Sequence, residues 1–81
     1  MAALPNESAR ELFELLADGS EQHVSQIASQ IGGTALSVSL LRNAVNRTFD
    51  QVGSDLYVHS EFRPKQGERP LGIYYYLTRS S

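Results

Sequence analysis

The chain has 81 residues, 41% of them hydrophobic, no cysteine and a formal net charge of −2. That length holds one small domain with a modest core, and the hydrophobic content is too high for disorder. Without cysteine there is no disulfide framework and no thiolate chemistry, and no apolar run approaches the roughly 20 residues of a membrane span.

A single domain over residues 1–81 is predicted, with residues 1–6 as a flexible N-terminus. That N-terminus has no basic stretch followed by an apolar one, so the chain reads as cytoplasmic, nucleoid-associated if bacterial. A first helix is predicted over 8–18. Ser8 and Glu11 fit the capping-box pattern, Ala9, Leu12, Phe13 and Leu16 recur at helical spacing, and Gly19 is a natural stop. A second is predicted over 25–31, with Ser25 as its N-cap, Val24, Ile27, Ala28 and Ile31 as its apolar stripe, and Gly32–Gly33 as its end. A third is predicted over 35–52. Val38, Leu41, Val45, Thr48, Phe49 and Val52 form its inner stripe, and Ser39, Arg42, Asn43, Asn46, Arg47 and Asp50 its outer side.

After Gly53 the hydrophobic period changes from 3.6 to 2, which predicts a hairpin over 55–77. Leu56, Val58, Ser60 and Phe62 share one face of its first strand, and Leu71, Ile73, Tyr75 and Leu77 one face of its second. The segment FRPKQGERP between them holds three of the seven cations, Arg63, Lys65 and Arg69. Charge is unevenly distributed. Residues 1–33 carry Arg10 against five carboxylates, a net of −4, and residues 34–81 carry six cations against four, a net of +2. A local basic face is therefore compatible with an acidic chain.

Three helices followed by a two-stranded antiparallel hairpin, an α+β arrangement, is the element order of a winged helix-turn-helix. The local residues agree: Ala28 is small where two helices touch, Gly32 suits the turn, and Val38 and Leu41 pin the next helix. On these residues the chain resembles the winged helix-turn-helix DNA-binding domains of bacterial-type regulators. VSQIASQIGG resembles their second helix and turn, and ERPLGIYYYLT their final wing strand; Gly33 departs from the apolar residue usual after the turn glycine.

The resemblance implies sequence-specific binding of double-stranded DNA and a role in transcription regulation. The third helix would enter the major groove, where Arg42 pairs with guanine and Asn43 or Asn46 with adenine. Ser37, Ser39 and Arg47 would meet phosphates, and Arg63, Lys65 and Arg69 from the wing would reach phosphates or the adjacent minor groove. With Arg42 these make five cations, about four or five phosphate contacts and a log–log salt slope of about −4 at roughly 0.9 per phosphate, weak enough to favour a homodimer on two half-sites. The alternative is a protein-interaction module within a larger assembly, with the acidic first helix or Tyr74 and Tyr76 as the partner surface.

Nothing in the sequence calls for an enzyme, a cofactor or a metal. No phosphate-cradling glycine loop, nucleophile motif or carboxylate pair is evident, and His23 and His59 lack ligand partners at metal spacing.

Overall fold

The computed structural model describes residues 7–79, so the predicted flexible segment 1–6 lies outside the described residues. Helix α1 (Glu7–Leu16) and helix α2 (Val24–Ile31) are separated by strand β1 (Gln22–His23). Helix α3 (Ala35–Gln51), strand β2 (Leu56–Arg63) and strand β3 (Gly72–Arg79) follow. The three strands form one antiparallel sheet in the order β1-β3-β2, where two strands were predicted.

Several of the caps differ from those predicted, while Gly32 ends α2 as expected. Ser8 lies inside the first turn of α1, which ends at Leu16; Gly19, at φ 86°, closes the turn that follows by donating to the Leu16 carbonyl. The N-cap of α2 is His23, not Ser25: the imidazole Nδ1 accepts the Ser25 backbone N–H at 3.0 Å. Gly32 takes the left-handed conformation (φ 72°, ψ 34°) that the turn requires, and the Gly33 N–H reaches the Ala28 carbonyl at 2.9 Å. Helix α3 opens on a capping box in which Thr34 and Ser37 satisfy each other's backbone N–H groups. Val52, predicted on its inner stripe, is instead its exposed C-cap.

The apolar stripes of the helices meet the inner face of the hairpin. Ala9, Leu12 and Leu16 of α1, Ile27 of α2, and Val38, Val45 and Phe49 of α3 pack with Val58 and Tyr75 in one buried cluster. Phe13 meets Phe49 edge-on at 5.9 Å. The register pairs Val58 with Leu77, Ser60 with Tyr75 and Phe62 with Ile73, so these residues share the face turned towards the helices. Burial stops at Tyr75. Phe62, Ile73 and Leu71, all predicted on the inner face, are exposed because the helical layer does not extend to the hairpin tip.

Strand β1 is held by pairing Gln22 with Tyr75 and His23 with Tyr74. His23 thereby joins α2 to the base of β3. Its Nε2 bonds the Leu71 carbonyl at 3.0 Å, and its ring stands edge-on to Tyr74 at 5.1 Å. The imidazole turns its Nε2 edge towards Gly72, where any Cβ would overlap that nitrogen.

Candidate interaction face

The side chains of α3 divide between the hairpin and solvent in a way the helical period alone does not reveal. Four of the six α3 residues predicted to meet DNA are used within the chain. Asn46 donates to the Val58 carbonyl at 3.0 Å and accepts the Val58 N–H at 2.7 Å, acting as a substitute strand along the outer edge of β2. One turn earlier, Arg42 Nη1 donates to Ser60 Oγ at 3.2 Å. Ser39 hydrogen-bonds the Tyr75 hydroxyl, and Ser37 is consumed in the capping box. Asn43 and Arg47 are exposed and, among the described residues, have no hydrogen-bond or ion-pair partner for their side chains.

The wing cations are similarly engaged. Arg63 pairs with Glu21 and, at 2.8 Å, with Glu61; Arg69 reaches the same Glu21 carboxylate at 3.1 Å. The Arg63 hydrogen bond holds the Glu61 carboxyl below its ordinary pKa. Among the described residues, Lys65 alone of the three has no ion-pair partner. Such solvent-accessible pairs, half-buried at most, are worth about 1 kcal/mol or less, so their effect is on the surface field more than on stability. Glu21→Gln should therefore shift the melting temperature little while freeing Arg69 and leaving Arg63 paired with Glu61 alone. The expected readout is later elution of the variant from a heparin column, and unchanged elution would contradict this charge assignment.

Beside these polar groups, α3 and the hairpin also present large apolar side chains outward. Leu36 and Leu40, one turn apart on the outer ridge of α3, and Phe62, Leu71 and Ile73 at the hairpin tip are between 40% and 70% exposed. Register places the hairpin-tip residues: Asn46 meets Val58 and Arg42 meets Ser60, and the Phe62–Ile73 pair lies one step further along β2 and β3. At about 100° per residue, Leu36 and Leu40 fall on the ridge that carries Asn43 and Arg47, beside the Arg42–Asn46 flank that meets β2 and not on it. Leu40 also lines a groove of about 440 Å³ with Ile31, Gly32, Gly33, Leu41 and Ala44. Sequence reasoning missed this face. The period-2 and period-3.6 patterns assign Phe62 and Ile73 inward, and nothing local marks where the helical cover ends.

This chain matches no family model, no curated protein and no solved structure. Its geometry therefore carries the functional argument.

The other predicted partner surfaces are unequal. Tyr74 is buried beneath Arg69, whose guanidinium lies 4.7 Å from the ring centroid, and its hydroxyl donates to the Pro70 carbonyl at 2.6 Å. Tyr76 is half-buried, against His59 at 5.2 Å and under Arg63 at 5.7 Å. On α1, Glu7, Arg10, Glu11 and Glu14 form a solvated charged face. Among the described residues no helix is long and apolar enough to cross a membrane.

Proposed function

We propose that the chain is a winged helix domain that docks on a protein partner through the outer ridge of α3 and the tip of the β2–β3 hairpin. The element order α1-β1-α2-α3-β2-β3 and the sheet order β1-β3-β2 support the winged helix, with the hairpin as its wing. The observation that carries the docking is the exposed set Leu36, Leu40, Phe62, Leu71 and Ile73 on the side where a DNA reader needs donors and cations. Among the described residues, Arg47 and Lys65 are the exposed cations there without an ion pair, enough for about two phosphate contacts and a salt slope of about −2.

Charge selects the occupant. A second copy in two-fold contact would set the net-positive half of the chain, with its unpaired Arg47 and Lys65, against itself. An apolar segment flanked by carboxylates complements the face in both respects.

A photo-crosslinking side chain placed at Leu36 in the source cells, with one at Glu14 as control, tests this. A single protein adduct specific to the Leu36 position is expected. Its binding to the purified chain should then fall at least a hundredfold in Leu36→Asp and in Phe62→Ser, both surface changes that leave the fold intact. Adducts to nucleic acid, or a protein adduct whose binding ignores both substitutions, would overturn the proposal.

A further inference from the structure

Arg42 is, among the described residues, the one half-buried cation without an ionised partner. Its Nη1 donates to Ser60 Oγ at 3.2 Å, while its Nε is closed off from solvent with no acceptor. Its charge also acts on the nearby Tyr75 hydroxyl, which hydrogen-bonds Ser39; both lower the tyrosine pKa, against a larger upward push from burial. One guanidinium and three hydroxyls thus converge on the seam between α3 and β2. Hydroxyls solvate a guanidinium but do not neutralise it, and a partly desolvated cation without a counter-charge is unfavourable.

We infer that Arg42, with Ser39 and Ser60 beside it, forms an oxyanion site at the α3–β2 seam that receives a carboxylate of the docking partner. With Nε closed off and one Nη1–H on Ser60, the remaining Nη1–H and Nη2–H donors point in parallel, suited to two oxygens of one carboxylate, and the Ser60 hydroxyl keeps its own proton to donate to either oxygen. The site adjoins Phe62, which follows Ser60 by two residues on the same face of β2, so an acidic side chain beside an apolar one engages both. The source of the carboxylate rests on the docking proposed above; the capacity to bind a small oxyanion does not.

The test uses the purified chain and small anions. ¹H–¹⁵N spectra follow the Arg42 Nε–H and the Ser39 and Ser60 amides during titration with sodium acetate and, separately, sodium phosphate, with ionic strength held by sodium chloride. Saturable movement of these signals with acetate is expected. It should be absent in Arg42→Gln and present at weaker affinity in Arg42→Lys, which keeps the charge and loses the fork. Equal movement with chloride alone, or none with acetate, overturns the site. Saturation by phosphate and not acetate overturns the carboxylate assignment. If Leu36→Asp failed to release the partner, docking would fall while this titration kept its meaning.

Discussion

Gly72→Ala is expected to lower stability by about 3 kcal/mol, a large effect for one methyl group. Two causes combine. Gly72 has φ 150°, a conformation that costs a residue with a Cβ about 1–3 kcal/mol. The new Cβ would also displace the His23 imidazole, which caps α2 and ties it to the Leu71 carbonyl, and loss of a cap costs about 1 kcal/mol. For a domain of this size the melting temperature should fall by about 12–24 °C. Calorimetry of the double-mutant cycle with His23→Ala isolates the clash. Without the imidazole to displace, Gly72→Ala should cost measurably less, and strict additivity would contradict this account of the contact.

The second large effect is expected at Asn46. A base-reading asparagine on a solvent face could be replaced by alanine at little cost to stability. Here its amide satisfies both backbone groups of Val58, a fully buried residue on the outer strand of the sheet. Asn46→Ala leaves that N–H and that carbonyl short of partners, at about 1–3 kcal/mol for each buried group, so a loss of about 2–4 kcal/mol is expected. Urea denaturation measures it, and hydrogen exchange localises it: the Val58 amide should lose protection more than the amides of α1. A change below about 0.5 kcal/mol would mean that the side chain is free to face a ligand.

Both predictions concern contacts that are distant in sequence, and they show what could be foreseen. The three helices were legible because Leu12, Leu16, Val38, Val45 and Phe49 repeat at a spacing that only a helix turns to one side. Gly32 marked the turn for the local reason that it must adopt positive φ. The hairpin was legible from the switch to alternation after Gly53. Strand β1 was not, because two residues carry no period; Gln22 and His23 are a strand only through Tyr75 and Tyr74, about fifty residues on.

The candidate site was less legible than the fold, for a related reason. Arg42 and Asn46 sit on the flank of the apolar stripe of α3, and whether a flank meets solvent or protein depends on where the hairpin lies. Phe62 and Ile73 have the same parity as Val58 and Tyr75, and parity does not say how far the helical cover extends. The cationic loop was visible as three residues between two prolines. Its pairing with Glu21 was not, because that carboxylate lies some forty residues earlier. The acidic and basic halves of the sequence therefore meet in the fold, and much of the apparent basic face is neutralised where they do.

The central claim is that this face is built for a protein and not for duplex DNA. The most direct measurement is the binding of a mixed-sequence duplex to the purified chain, followed residue by residue in NMR spectra as salt is raised from low concentration. The account predicts weak association with a log–log slope no steeper than about −2, and shifts confined to the neighbourhoods of Arg47 and Lys65. Saturable binding with a slope near −4, in which residues 37–47 and 63–69 respond together, would contradict it.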